Sequence, residues 1–373
     1  MMGSNVMGII FSNMHDHLVG DLTPNRCMGS IPVGGRYRLI DFILSCFANT
    51  GIKDVGVITK TNYQSLMNHL GNGREWDLAR KKGGLVVLPP YGHHDAGIYQ
   101  NRIEALHGVM QYIRSSSGDY VITADCDVMM NTTFDSMFEC HEEKGADITL
   151  LYKKMDLQGG IQKETTSLIV DDDGRVKDVL VNPVQPGEHN IHLQIMLISK
   201  KLLEYLVGNC YSRNLYSYER DILQTAVGNY KVYACEYTGY ATRFSSMQTY
   251  FSANLAFLDE DVRRQLFPRS LPIYTNVRDA APVRYGLAAS VSNSLLANGC
   301  VVEGHVENSV IFRGVKVGKG AKIKNSVVMN NTNIGAGASL ECVVADKNVI
   351  ISEGRNLAGF HTYPVYISKN SVV

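Results

Sequence analysis

The sequence lacks the features that would place it at once among nucleic-acid-binding, membrane or secreted proteins. Its 36 Lys and Arg are balanced by 36 Asp and Glu, so it has no basic excess of the kind that non-specific nucleic-acid binders carry. No run of about 18 apolar residues is present, and a membrane-spanning helix is therefore not expected. No basic segment followed by an apolar run and a small-residue cleavage site stands near the first residue, so no secretory signal is predicted.

Paired cysteines are also missing. The eight cysteines are scattered without a CxxC motif, which in a chain of this length indicates reduced thiols and a cytoplasmic protein. Low-complexity tracts are absent too, and 45% of the 373 residues are hydrophobic. At roughly 100–200 residues per domain, two domains are the natural expectation.

Short apolar runs alternate with helix-length patterns over the first two-thirds of the chain. Val6–Phe11 and Tyr120–Thr123 are predicted to be buried strands, while Arg38–Ala48 and Phe134–Lys144 are predicted to be helices. This alternation predicts an α/β domain with a mainly parallel sheet over residues 1–258. In such sheets ligands bind beyond the carboxyl ends of the strands, so we expect the site in the loops that follow the two strands.

The pattern changes after residue 258. A charged segment with three prolines predicts a linker over residues 259–285. From residue 286 to residue 373, side-chain types recur at a spacing of 17, as in Val306, Ile323 and Leu340. Helical solenoids repeat every ~33–47 residues and are excluded. The short period predicts a parallel β-helix with three strands per coil, whereas a β-sandwich would show no fixed short repeat.

Specific motifs in both parts of the chain resemble the glucose-1-phosphate adenylyltransferase (ADP-glucose pyrophosphorylase) family. The matching segments are Gly34–Phe42 (GGRYRLIDF), Asn49–Ile52, Glu142–Asp147, Asp172–Val176, Val306–Val310 and Asp346–Ile350. The resemblance implies a Rossmann-like, GT-A-like nucleotidyltransferase domain followed by a left-handed β-helix. It also implies a reaction between ATP and glucose 1-phosphate with Mg²⁺, which needs a phosphate cradle, a cation and metal-binding carboxylates.

The residues that would perform this reaction are mostly replaced. The family's glycine-rich loop reads Ser12–Leu18 here, and Met28 stands where the family has a phosphate-facing lysine. Arg243 stands where the family has its second metal-binding aspartate, and an arginine cannot coordinate Mg²⁺. The first metal carboxylate persists as Asp125, with Asp127 close by, although we favour a polar loop without a metal over a metal site here.

Two further motifs of the family's active site are also replaced. Asn101–Ala105 replaces its GTADA segment, and Val179–Pro183 replaces its FVEKP segment without the glutamate and lysine. We therefore predict a vestigial site with no catalytic residue and no required cofactor, Mg²⁺ being needed only if the site is active. Among family members this pattern resembles the GlgD-type regulatory subunit. The resemblance implies a hetero-oligomer, a tetramer, with the catalytic subunit; a homo-oligomer remains open.

Arginines near the Gly-Gly turn suggest a second kind of site. Arg26, Arg36 and Arg38 could bind phosphate through bidentate contacts. In the resembled family, basic residues of this stretch help to bind phosphorylated sugar effectors, and Arg355 is a weaker candidate from the β-helix. The alternative is that the arginines pair with acids such as Asp41.

Three other interpretations stay open. The chain could be an active sugar-phosphate nucleotidyltransferase that uses altered residues. It could be a β-helix acyltransferase, with His305 as the base between coils. His15–His17 and His93–Asp95 have metal-ligand side chains, but adjacent residues rarely converge on one ion, so no metal site is predicted.

Overall fold

The computed structural model describes residues 5–90, 98–157 and 164–373, so His93–Asp95 fall outside the described residues. The chain forms two compact units. The first contains the residues before His15 together with Ile43–Tyr63 and Leu70–Ala241, and the second contains His15–Phe42, Gln64–His69 and Thr242–Val373. This division differs from the predicted boundaries at 258 and 285, because two early segments cluster with the C-terminal part of the chain.

A nine-stranded sheet forms the centre of the first unit. Its strands are β1 (Val6–Phe11), β2 (Asp54–Ile58), β3 (Gly84–Leu88), β4 (Tyr120–Asp125), β5 (Ile148–Leu157), β6 (Thr166–Val170), β7 (Val176–Val181), β8 (Gly187–Ser199) and β9 (Val232–Glu236). The order is β7-β6-β8-β4-β1-β2-β3, and β5 pairs with β8 and β9. The β4-β1-β2-β3 half is parallel, as predicted, whereas β8 runs antiparallel to β4 and β5.

Apolar packing on both faces explains the parallel half. All six residues of β1 are buried, as expected for a strand covered by helices on two sides. Gly8 lies against the Phe47 ring, where an added Cβ would come within 2.5 Å of a ring carbon. The helices are α1 (Leu39–Thr50), α2 (Gln64–Leu70), α3 (Arg102–Gly108), α4 (Met110–Ser115), α5 (Asp135–Glu143), α6 (Lys200–Ser212), a π-helical turn (Tyr218–Gln224), α7 (Thr225–Asn229), α8 (Met247–Ala256) and α9 (Glu260–Leu266). In the part of the chain that the structure describes, none of these helices has the length and apolarity to cross a bilayer.

Three five-stranded parallel sheets form the predicted β-helix in the second unit. The first holds Arg284–Tyr285, Val301–Val302, Lys316–Val317, Asn333–Ile334 and Ile350–Ile351; the second holds Ser290–Ser292, His305–Glu307, Lys322–Lys324, Ser339–Glu341 and Asn356–Ala358; the third holds Leu295–Leu296, Val310–Ile311, Val327–Val328, Val343–Ala345 and Val365–Ile367. Val306 pairs with Ile323 and Ile323 with Leu340, which confirms the predicted repeat. These side chains stack in the apolar interior.

A ladder of buried serines ties successive coils together. The hydroxyl groups of Ser309 and Ser326 donate to the carbonyls of Glu307 and Lys324, both at 2.7 Å. Each hydroxyl also accepts a backbone N–H from the next coil: Ser326 N lies 3.0 Å from Ser309 Oγ, and Val343 N lies 3.1 Å from Ser326 Oγ. The ladder therefore satisfies backbone groups that the short strands leave unpaired.

Replacing Ser326 with alanine should lower the free energy of unfolding by about 1–3 kcal/mol, because the buried Val343 N–H loses its acceptor. Urea denaturation measures this change. The control is Ser368→Ala, which removes an exposed hydroxyl that is hydrogen-bonded to the exposed hydroxyl of Ser371. An equal, small effect of both substitutions would show that the ladder contributes no stability.

Candidate functional site

The two strand ends that the sequence analysis singled out lie side by side. Strands β1 and β4 are parallel neighbours, with Phe11 in register with Asp125. Asp125 ends β4 and is 3% exposed, and Asp127 follows it and is 1% exposed. The carboxyl edge of the parallel half thus carries two buried aspartates, as the sequence predicts.

A buried arginine occupies this edge. Arg102 is the first residue of α3, after the N-cap Asn101, and it is 7% exposed. Its guanidinium forms ion pairs with the carboxylates of Asp125 and Glu219. The same guanidinium carbon lies 5.8 Å from the centre of the Phe11 ring and 5.5 Å from that of Tyr218. Two carboxylates and two aromatic faces therefore enclose a single cation.

The electrostatics keep this arginine charged. Burial by itself lowers the pKa of the Arg102 guanidinium, but the neighbouring Asp125 and Glu219 carboxylates outweigh burial and raise it above its ordinary value. Burial raises the pKa of the Tyr218 hydroxyl, so the phenol is neutral at physiological pH. Asp125 therefore faces a permanent positive charge from its own chain.

The Arg102 guanidinium competes for the Asp125 carboxylate with the Mg²⁺ ion that the family resemblance implies. Mg²⁺ needs an octahedral set of oxygen ligands and binds through carboxylates that are free to face it. The Asp125 carboxylate instead faces the Arg102 guanidinium, and a divalent cation beside a buried guanidinium would be strongly repelled. The Asp125 oxygen that faces Arg102 is therefore not available to such an ion.

The other two vestigial positions, Met28 and Arg243, lie in the second unit. Met28 is 1% exposed and begins a short 3₁₀ turn, and its N–H donates to Asp16 Oδ1 at 2.7 Å. Its thioether supplies no positive charge for a phosphate. The Nη2 atom of Arg243 lies 3.3 Å from Nε2 of His15. A cation therefore stands beside the histidine that the sequence offered as a metal ligand.

Arg26, the first effector candidate, is buried in an ion pair. Its Nη2 atom lies 2.7 Å from both carboxylate oxygens of Asp346, and both side chains are 3% exposed. The Tyr366 hydroxyl donates to Asp346 Oδ2 at 2.9 Å. The ion pair is thus formed with an acid of the β-helix, not with Asp41, and the role of Arg26 toward an effector stays a prediction.

The remaining candidates are more accessible. Arg38 is half-buried and donates from Nη1 to the carbonyl and hydroxyl oxygens of Ser65, at 2.6 and 3.0 Å. Arg36 is exposed, with its guanidinium 6.0 Å from the centre of the Tyr37 ring. Arg355 is exposed at a corner of the β-helix. Their proposed contact with phosphate remains a prediction.

Sequence reasoning missed other members of a cationic cluster in the second unit. We use this name for Arg36, Arg38, Arg278, Arg313 and Lys347. Burial lowers the pKa of Arg38 to about 10, and the charge of Arg278 adds to the effect. Burial also lowers the pKa of Lys347 to about 7, with contributions from Arg38 and Arg26, and it lowers the pKa of Arg313, which lies near Arg36 and Arg278. The lowered pKa values of Arg38, Arg313 and Lys347, to which positive neighbours contribute, indicate an excess of positive charge that an anion would relieve.

Comparisons with known proteins agree with both halves of the chain. The nucleotidyl transferase family model matches residues 19–242, and the model of the GlmU-like, C-terminal hexapeptide matches residues 282–361, in agreement with a left-handed β-helix. The glycogen biosynthesis protein GlgD of Bacillus subtilis is 34% identical over 87% of this chain and 84% of its own length. The GlgD of Geobacillus stearothermophilus is 34% identical over 86% and 84%.

The glucose-1-phosphate adenylyltransferase of Pseudothermotoga lettingae is 31% identical over 85% of this chain and 76% of its own length. These matches cover most of the chain, as does the set of motifs on which the resemblance was based. The chain therefore belongs to the nucleotidyl transferase family, in the group formed by the glucose-1-phosphate adenylyltransferases and the GlgD proteins.

Proposed function

We propose that the chain is a non-catalytic regulatory subunit of ADP-glucose pyrophosphorylase in glycogen biosynthesis. It would assemble with the catalytic subunit, as a hetero-tetramer, and change the activity and effector response of that subunit. The observation that carries the proposal is the ion pair between Asp125 and the buried Arg102, which occupies the one metal carboxylate that the chain retains. The similarity to GlgD over most of the chain supports the same interpretation.

Electrostatics argue against turnover by this chain. Transfer of a nucleotidyl group brings two anionic substrates together and needs positive charge where negative charge develops. Met28 offers a buried thioether in place of a lysine, and the Ser12–Leu18 loop has no glycine to let its backbone approach phosphates. Each charge-assisted hydrogen bond that the site cannot make is worth about 1.5–3 kcal/mol, or one to two decades in rate.

Assay of the purified chain with ATP, glucose 1-phosphate and Mg²⁺ tests the inactive site. We expect no ADP-glucose above the background without enzyme. A turnover number on the order of 1–10³ per second would instead support the alternative, an active nucleotidyltransferase with altered residues. The acyltransferase alternative has less support, because His305 is exposed on its strand.

The cationic cluster is the proposed effector site, and a phosphorylated sugar is the proposed effector. Arg36 and Arg38 come from the Gly-Gly turn and Lys347 from the β-helix, all within the second unit. A sugar phosphate would offset the positive charges that contribute to the lowered pKa values of Arg38, Arg313 and Lys347. Arg355, on its exposed corner of the β-helix, stays a separate candidate.

Anion binding to the cluster should depend on pH through Lys347. In the free protein its pKa is about 7, below the ordinary 10.5, so the ammonium is charged below that pH and mostly neutral at pH 8.5. A bound anion favours the charged form of Lys347, so the affinity of the cationic cluster for anions should fall as pH rises. We expect sulfate, which does not titrate in this range, to bind about tenfold more weakly at pH 8.5 than at pH 6.

The control for this experiment is Lys347→Met, measured by calorimetry at the same two pH values. It should bind sulfate more weakly at pH 6 and lose most of the pH dependence, because Arg38, with a pKa of about 10, stays charged at both pH values. The neighbouring groups of Lys347 are Arg38, Arg26, Asp346 and Lys369. An unchanged pH profile in the variant would assign the titration to another group.

A further inference from the structure

The environment of Arg102 has the composition of a cation site. Asp125 comes from the end of β4, and Glu219 comes from the π-helical turn that begins at Tyr218. The two carboxylates belong to separate elements, yet both contact the same guanidinium. The Asp125 side chain is 3% exposed, and that of Glu219 is 20% exposed. Two carboxylates held this close repel one another unless a cation lies between them or one of them is protonated.

Arg102 supplies that cation from within the chain. It follows the N-cap Asn101, whose side chain accepts the Glu104 N–H, so the backbone that carries it is held at the start of α3. The Phe11 and Tyr218 rings flank the guanidinium at 5.8 and 5.5 Å. The charge is therefore placed by the fold, and no diffusible ion is needed to balance Asp125.

We propose that the guanidinium of Arg102 takes the place of a divalent cation between Asp125 and Glu219, and that removing it uncovers a site for a hard divalent ion. This inference rests on the proposed function in one respect, that the site has no need of a metal for turnover. The ligands left behind would be carboxylate oxygens, which Mg²⁺ and Mn²⁺ prefer. Buried Asp127, two residues beyond Asp125, stands close along the chain.

An arginine that replaces a metal ion can be distinguished by experiment from an arginine in an ordinary structural salt bridge. Loss of one partner from any buried ion pair destabilises the fold, because a charge is left uncompensated. Only a pair that replaces a metal should be rescued by that metal. Rescue should be saturable, and it should require Asp125.

The test uses the full chain and Mn²⁺ as the probe, with binding followed by electron paramagnetic resonance and stability by thermal unfolding. The wild type should bind Mn²⁺ at least about 100-fold more weakly than Arg102→Gln, with no shift in melting temperature. Arg102→Gln should melt below the wild type and recover at least half of the loss at saturating Mn²⁺. Arg102→Gln with Asp125→Asn should show neither binding nor rescue.

A matched control is Arg114→Gln, which removes an exposed arginine paired with Glu204 in the same unit. It should bind no Mn²⁺ and melt close to the wild type. If Arg102→Gln does not fold alone, it is refolded in Mn²⁺, and so is the double variant Arg102→Gln, Glu219→Gln. The double variant carries one carboxylate fewer.

Three results would overturn the proposal. The first is a folded Arg102→Gln variant that binds no Mn²⁺, and the second is failure of Arg102→Gln and of its double variant with Glu219→Gln to fold at any Mn²⁺ concentration. The third is tight Mn²⁺ binding by the wild type that Asp125→Asn abolishes. The first two leave the regulatory role standing, because that role is measured by the rate of the catalytic partner. The third, joined with turnover by the chain alone, would count against both.

Discussion

Replacing Asp346 with asparagine should lower the free energy of unfolding by about 3–5 kcal/mol, because the buried Arg26 guanidinium would be left without a counter-charge. Both oxygens of the carboxylate lie 2.7 Å from Arg26 Nη2, and both side chains are almost fully buried. Asparagine keeps the shape and one acceptor oxygen, but its NH2 group would face a donor where the carboxylate accepts, so the loss combines the charge with a broken hydrogen bond. Chemical denaturation of the variant and the wild type measures it.

The matched control lies on the surface of the same β-helix. Lys324 and Glu307 approach to 3.8 Å, with both side chains about half exposed. Glu307→Gln should therefore change stability by less than about 1 kcal/mol, since exposed ion pairs contribute little. If Asp346→Asn were as mild as Glu307→Gln, Arg26 would have to be satisfied by other groups, and the Arg26–Asp346 ion pair would contribute no stability.

Introducing lysine at position 28 should destabilise the chain by at least about 2 kcal/mol and should not restore nucleotidyl transfer. Met28 is 1% exposed, and the backbone there is held by the Asp16 carboxylate. An ammonium group would have to lose its hydration or push the 3₁₀ turn outward. Urea denaturation and an ADP-glucose assay of Met28→Lys measure the two effects.

Met28→Leu is the control, because a swap of similar volume in a core usually costs less than about 1.5 kcal/mol. The comparison separates the cost of charge from the cost of shape. Activity in a stable Met28→Lys variant would show that one substitution had silenced the site. We expect inactivity, because Arg102 would still be paired with Asp125.

The β-helix is the part of the fold that the sequence predicts most completely. Each coil repeats the same inward side chains, so the pairing of Val306 with Ile323 follows from a spacing of 17. The sheet of the first unit is predictable only in its parallel half. Strand β8 runs antiparallel and carries polar residues through its first half, so local patterning does not mark it as a member of the central sheet.

The candidate site shows a similar division. The position of Asp125 follows from a rule about strand ends, and the structure confirms that its strand lies next to β1. Its pairing with Arg102 could not be predicted, since the two residues are 23 positions apart in the sequence. The second carboxylate partner of Arg102, Glu219, is 117 positions from it. In the sequence, the Asn101–Ala105 segment stands out only by its departure from the family motif. Ion pairs between distant segments depend on the tertiary fold, which local sequence patterns do not encode.

The most direct test of the regulatory role is the pyrophosphorylase rate of the catalytic subunit from the same organism, with and without this chain, across concentrations of phosphorylated sugars. We predict that the two proteins co-purify and that the mixture shows a raised rate or a shifted effector response. Arg38→Ala should weaken that response, because it removes one charge of the cationic cluster while Arg114→Gln removes none. No complex and an unchanged rate at every effector concentration would contradict a regulatory role.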